Sequence, residues 1–299
     1  MKASFFHSEI LAGMISKSAY LKPVWLDENH HLLGIASGGL FSKRLIIYGN
    51  PYTTNEEIEL FTSALKDYNY NSIYIEFRNL NHIDTLETKI SQSAYKWQDW
   101  YNIEVTTNDS KTCWNKINST KKRQIRRSID HGAKIIDDIT IEQLKEFYNI
   151  LKKLYRKKIR KPLPDWNFFE SFYHVTKNTS FGKYLLVEYQ GKIISGMMCP
   201  ITPKQDMFEW YVAGLDREFN NTDIYPSSLV TWAAIEFAAV NSIPKFNFMG
   251  AGQPNVDYGV RVFKLQFGGT LINTGRFIRI NKPLLYKIGS IYINIIKHI

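Results

Sequence analysis

The order of periodic segments between residues 141 and 280 constrains this chain more than any other feature. Apolar residues recur at helical spacing over residues 141–158 and 165–176. Three strand-like runs follow at 184–189, 192–201 and 207–213, and Gly191-Lys192 between the first two reads as a hairpin turn. After them come a helix over 226–240, a short strand at 245–248, a helix opening after Asn255 and a last strand over 270–280. The order is helix, helix, three antiparallel strands, helix, strand, helix, strand, which suits a sheet covered by helices. The N-terminal half alternates in the same way. It reads as a strand at 45–48, an amphipathic helix at 55–68, a strand at 72–77 and a helical region at 110–131 that Gly132 is placed to end.

At 299 residues, and with roughly 150 residues per domain as a starting point, two domains are expected. The C-terminal order is the one used by acyltransferases of the GNAT type. The expected class is therefore α/β (α+β), with two tandem GNAT-like domains over residues 1–135 and 136–299, each a mixed, largely antiparallel sheet flanked by helices. In such a fold an acyl-CoA would lay its pyrophosphate on a glycine-rich turn before the helix at 226. That turn, residues 214–226, has no glycine after Gly214, which argues against ordinary CoA binding there, although Asn220, Asn221 and Thr222 can donate hydrogen bonds.

Within the run from Gly259 to Gly269, Val260, Phe263 and Phe267 fall at i, i+3 and i+7 and form an apolar stripe. Lys264 joins that stripe, with Arg261 three residues before it. Two readings stay open: a lysine snorkelling from a domain seam, or a fixed cation facing a polar cleft, where it stabilises charge on a reacting carbonyl or holds a phosphate.

The net charge of +10 is confined to one stretch. Residues 111–161 carry 16 Lys and Arg against 5 Asp and Glu, so the rest of the chain is close to neutral. The two densest runs, 121–127 and 152–161, both read as helical, and Ile125 and Ile129 mark the buried side of the first. Lys122/Arg126 and Arg123/Arg127 are like charges at i, i+4, a repulsion that an anionic partner relieves. Lys122, Arg123, Arg126, Arg127, Lys158 and Arg160 are thus candidates for binding phosphate or tRNA. Tyr211 and Tyr225 are candidates for lining an acceptor pocket, because a phenol both stacks and hydrogen-bonds. Core packing is the competing explanation for each.

The segments at 210–216 (Trp-Tyr-Val-Ala-Gly-Leu-Asp), 225–232, 246–250 and 263–269 (Phe-Lys-Leu-Gln-Phe-Gly-Gly), together with the basic helix at 122–132, resemble the FemABX family of peptidoglycan aminoacyltransferases. No single motif is specific, but five in order over residues 115–270 are much stronger. The resemblance implies two GNAT-like domains with a site in the cleft between them. It implies transfer of an amino acid from charged tRNA to an amine of a nucleotide- or lipid-linked muropeptide or sugar precursor. It makes Lys264 the cation that stabilises the transition state, with Arg261 and Phe263 beside it in substrate binding. The family's long helical arm is not evident here.

Aminolysis of an ester needs a free amine, an oriented carbonyl and a fixed positive charge. Neither a cofactor beyond the substrates nor a metal is expected, since the seven histidines show no ligand spacing. Cys113 and Cys199 read as buried free thiols. No export signal and no run of about 18–20 apolar residues is visible, so a cytoplasmic location is expected. The apolar, lysine-bearing segment at 283–297 raises peripheral contact with the inner membrane surface. The rival readings are an acyl-CoA or acyl-carrier N-acyltransferase acting on an amino sugar and, further off, a non-catalytic RNA-binding protein.

Overall fold

The computed structural model describes residues 4–39, 42–49, 63, 70–81 and 94–298, so the helix expected over 55–68 lies, apart from residue 63, outside the described residues. The chain begins with α1 (Glu9–Ser16), β1 (Leu21–Trp25), β2 (Leu33–Ser37), β3 (Arg44–Tyr48), β4 (Tyr74–Arg78), β5 (Lys96–Gln98) and β6 (Tyr101–Thr106). Next come α2 (Ser110–Lys116), α3 (Ser119–Asp130), β7 (Lys134–Ile136), α4 (Ile141–Leu154), a π-helical turn (Tyr155–Ile159) and α5 (Trp166–Asn178). The remainder is β8 (Gly182–Tyr189), β9 (Lys192–Thr202), β10 (Asp206–Phe208), β11 (Tyr211–Gly214), α6 (Pro226–Val240), β12 (Lys245–Gly250), α7 (Gly259–Leu265), β13 (Thr270–Asn273), β14 (Arg276–Ile280) and α8 (Pro283–His298).

Two compact units emerge, one made of Met1–Tyr101 with Asn273–Ile299, the other of Asn102–Ile272. This differs from a division at residue 135, and strand pairing gives the reason. β6 pairs with β12, so residues 102–135 belong with the second unit, whereas β14 pairs with β4 and β5 and returns the C-terminus to the first.

The first unit holds a six-stranded sheet ordered β1-β2-β3-β4-β14-β5, in which only β3 and β4 run parallel. Alternation decides its faces. Ile47, Phe77, Phe277 and Trp97 stand in one cross-strand row, and the first three are fully buried in the core with Leu45 and Ile75. The next row, Tyr48, Arg78, Arg276 and Gln98, points to the other face. The expected single strand over 270–280 is broken by Gly275, whose φ is +66° and whose missing side chain makes room for the Trp97 ring.

The second unit's sheet is ordered β13-β6-β12-β10-β9-β8-β7, with β11 pairing only with β9. The β8–β9 hairpin turns through Gln190 and Gly191, both at positive φ, as a two-residue type I′ connection requires. The strand expected over 207–213 is split. The Glu209 amide donates to Asn247 of β12, but the next amide, Trp210, donates to Met198 of β9, so the sheet opens at this point. β10 lies parallel to β12 on one side of the opening and β11 stays on β9 on the other. α6 is apolar on every side and correspondingly buried. The expected helical region at 110–131 is two helices, because Asn118 restarts the chain by accepting from the Thr120 amide as a cap. Lys121, Ile125 and Ser128 form the buried stripe of α3, whereas Ile129, expected on that side, is about half exposed. Both cysteines are buried and free.

Candidate functional site

The opening in the second sheet is held by a buried ion pair. Lys264 of α7 donates to the Phe248 carbonyl at 2.7 Å and the Gly250 carbonyl at 3.2 Å, and it pairs with Glu209 Oε1 at 2.9 Å. Those carbonyls lie on either side of Met249, whose φ of +54° bulges β12, and the Asn247 side chain steadies the bulge by accepting from the Met249 amide. Burial pushes the Glu209 carboxyl up, and Lys264 works against that. An ammonium has three protons, and here all three meet protein acceptors. With its three protons taken up, Lys264 faces two carbonyls and a carboxylate rather than an open polar cleft in this arrangement. The expected stripe holds only in part: Phe267, just after α7, is buried, but Phe263 is half-buried and Val260 is exposed. A seven-residue helix bearing a buried lysine cannot also bury every apolar position.

A second buried lysine, Lys121 of α3, has a different environment. It donates to Gln124 Oε1 at 2.8 Å and to the Ser228 hydroxyl at 3.2 Å, and it lies 4.4 Å from the centre of the Phe263 ring. An amide, a hydroxyl and a ring face are all neutral, and Lys121 forms no ion pair among the described residues. Burial therefore lowers its pKa, opposed only by the more distant charge of Asp216. Ser228 in turn donates to Gln124 at 2.9 Å, which fixes both acceptors. Lys121 was not among the sequence candidates, although its place four residues before Ile125 could have put it on the apolar stripe. Glu209 gave no sequence signal, lying in a strand-like run between Phe208 and Trp210.

The other candidate residues separate into structural and exposed groups. Arg261 donates to the carbonyls of Ala251 and Gln253 and so clamps the Gly250–Gly252 turn, where Gly252 has φ +83°. Tyr211 packs among Phe168, Phe169, Trp210 and Tyr155, with ring centres 5.1–6.2 Å away. The Tyr225 amide donates to the Ser128 hydroxyl at 2.8 Å at the start of α6. In the first basic run, Lys122 donates to the Asn115 carbonyl, Arg126 lies over the Trp114 ring and Arg127 pairs with Asp223 at 2.6 Å, while Arg123 is exposed. The second run breaks from α4 into the π-helical turn, which ends at Arg160 with φ +54°. There a groove of about 650 Å³ opens, lined by Tyr148, Lys152, Tyr155, Arg156, Arg160 and Lys161, whereas Lys158 is exposed outside it.

The N-terminus of α6 is already supplied with a negative group. Asp216 accepts from the Ser227 amide at 3.1 Å and from the Ser227 hydroxyl at 2.5 Å. Pro226 heads the helix and has no N–H to offer. A side-chain carboxylate thus sits where a bound pyrophosphate would use the helix amides.

A mixed sheet that opens beside a buried helix, with a parallel pair on one side of the opening, is the GNAT-like arrangement. Residues 170–292 match the FemAB family. The match takes in the segments at 210–216, 225–232, 246–250 and 263–269 but leaves the basic helix outside. The structure aligns with the crystal structure of FemX at a TM-score of 0.70, with 12% identity over 96% of this chain and 94% of that one. It aligns with the C-terminal DUF2156 domain of a protein from Agrobacterium fabrum at 0.62, with 10% identity over 96% and 93%. For L-PGS from Bacillus licheniformis the score is 0.58, with 12% identity over 91% and 92%. Similarity at these identities is similarity of fold. No curated protein sequence matches the chain.

Proposed function

We propose that this protein transfers an amino acid from charged tRNA to an amine of a peptidoglycan or other cell-envelope precursor. The observation that carries the choice of donor is Asp216 at the head of α6. A diphosphate brought there meets a carboxylate, a proline without an N–H and one amide already engaged, which disfavours acyl-CoA. A tRNA ester makes no demand on that helix end. Its phosphates have the groove at the π-helical turn, where cationic side chains and two tyrosines offer charge and stacking together. π-Helical turns within α-helices also gather at functional sites.

In this reading the acceptor amine attacks the ester carbonyl, the amide bond forms as the ester C–O bond breaks, and the tRNA hydroxyl leaves with a proton. Lys121, lacking a carboxylate partner, supplies the positive charge at the developing oxyanion. Lys264, paired with Glu209, shapes the sheet opening and keeps the Phe248 and Gly250 carbonyls turned inward, acting as a positioning residue. Leu284, Ile288 and Ile291 form an exposed stripe on α8, which suits peripheral contact with a membrane carrying a lipid-linked acceptor. Among the described residues no helix is long and apolar enough to cross a membrane.

The test offers labelled charged tRNA and a nucleotide- or lipid-linked muropeptide, with and without ribonuclease, beside an acetyl-CoA reaction. Ribonuclease-sensitive labelling of the acceptor is the expected result. Labelling from acetyl-CoA alone overturns the donor, and tight RNA binding without transfer to any acceptor favours the non-catalytic alternative.

A further inference from the structure

In the first unit, Tyr48 ends β3 and Arg78 ends β4, the two parallel strands, and Arg276 opens β14 beside them. Arg78 and Arg276 are direct cross-strand partners on the face opposite the core. Like charges so placed destabilise a sheet. One carboxylate lies between them: Glu76 accepts from Arg78 Nη2 at 2.8 Å and from Arg276 Nη1 at 2.6 Å. Burial pushes Glu76 up, but the two guanidinium charges prevail and hold it down at about 2. Burial, reinforced by Arg78, pushes Arg276 down to about 10. Among the described residues, two cations against one anion leave an excess positive charge in a half-buried place.

The group is also rigid and short of acceptors. The Arg276 guanidinium lies 3.5 Å from the centre of the Trp100 ring, and Arg78 donates to the Tyr48 hydroxyl at 2.7 Å. Among the described residues, Arg78 Nε and Trp100 Nε1 are buried donors that meet no hydrogen-bond acceptor. Side-chain exposures of 27% for Arg78 and 14% for Arg276 leave both within reach of solvent. Ligands of α/β sheets gather at the carboxyl ends of parallel strands, which is where this group lies.

We propose that Arg78 and Arg276, braced by Tyr48 and Trp100, form a binding site for an oxyanion with two or more acceptor oxygens, a phosphate or a carboxylate. The planar forks of the two arginines suit bidentate recognition. The site is independent of the donor and of the chemistry assigned to the second unit.

Titration calorimetry of the full chain with inorganic pyrophosphate, and separately with N-acetyl-Ala-Ala as a peptide carboxylate, tests it. Saturable binding of one probe that weakens with salt is expected, and the tighter probe names the source. Arg276→Gln should weaken that binding at least tenfold and Arg276→Lys by an intermediate factor, with circular dichroism unchanged. Should Arg276→Gln fail to fold, Trp100→Phe serves instead, because it keeps the charges and the ring but alters the donor, and a loss of about threefold or more is expected. No saturable binding of either probe to the native chain, or equal affinity in the native chain and the folded variant, overturns the proposal and leaves the arginines as sheet structure alone.

Discussion

Lys264 and Lys121 are both buried in the second unit, yet their surroundings are opposite. Lys264 is enclosed by two carbonyls and a carboxylate, whereas the partners of Lys121 among the described residues are all neutral. A satisfied buried ion pair is strongly destabilising to break, because the remaining charge is stranded. A buried cation without a counter-charge is a liability to the fold, and its presence calls for a functional account. The family motif singles out the first lysine, and the local electrostatics single out the second.

The largest effect is expected of Lys264→Met. It strands Glu209 and two inward carbonyls, and a loss of about 3–5 kcal/mol in urea unfolding is expected. Adding Glu209→Gln should recover part of that loss. A Lys264→Met protein of native stability but no activity would return the catalytic cation to Lys264.

Next in size is Lys121→Met. Gln124 and Ser228 remain bonded to each other, so stability should be unchanged or slightly higher, while transfer falls by about 100-fold, as when one oxyanion donor is removed. The charged form of Lys121 is lost as pH rises through its lowered pKa, so native activity should fall on the alkaline side earlier than an ordinary lysine would allow. Lys121→Arg should retain part of the rate and move that fall to higher pH.

Asp206 supplies an anionic counterpart at the start of β10. Burial, helped by Glu104 and opposed by Lys245, raises its pKa to about 6. The folded state thus holds this proton more tightly than the unfolded chain, so the stabilisation is present at low pH and disappears as pH rises through about 6. Asp206→Asn should stabilise the protein by on the order of 2 kcal/mol at pH 8 and by almost nothing at pH 4, measured by urea unfolding at both.

The smallest expected effects lie in the basic groove. Arg156→Ala and Lys161→Ala should each weaken RNA binding several-fold and lower the salt dependence by about one ion, without changing stability. Equal affinity in the double variant would move the RNA to the Arg123 face of α3.

Regular elements were legible because their apolar residues repeat. The β8–β9 hairpin, α6 and β12 all lie where periodicity places them. What the period could not carry were the interruptions: the sheet opening at Glu209, the restart at Asn118 and the break at Gly275. Each is fixed by a backbone hydrogen bond, a cap or a ring from a distant part of the chain. For the same reason the sequence pointed to Lys264 but could not foresee that Glu209 would neutralise it.

The return of residues 273–299 to the first unit bears on the order in which the protein can be made. β14 lies between β4 and β5, so the first sheet stays incomplete until residue 280 has been synthesised. The second unit, residues 102–272, has its whole sequence available earlier, and β6 at its start neighbours β13 at its end. The later stretch of the chain is therefore the one that can fold first during synthesis, while the N-terminal strands wait for their central partner. A released chain ending at residue 275 should keep a protease-resistant second unit while its first unit is still cleaved.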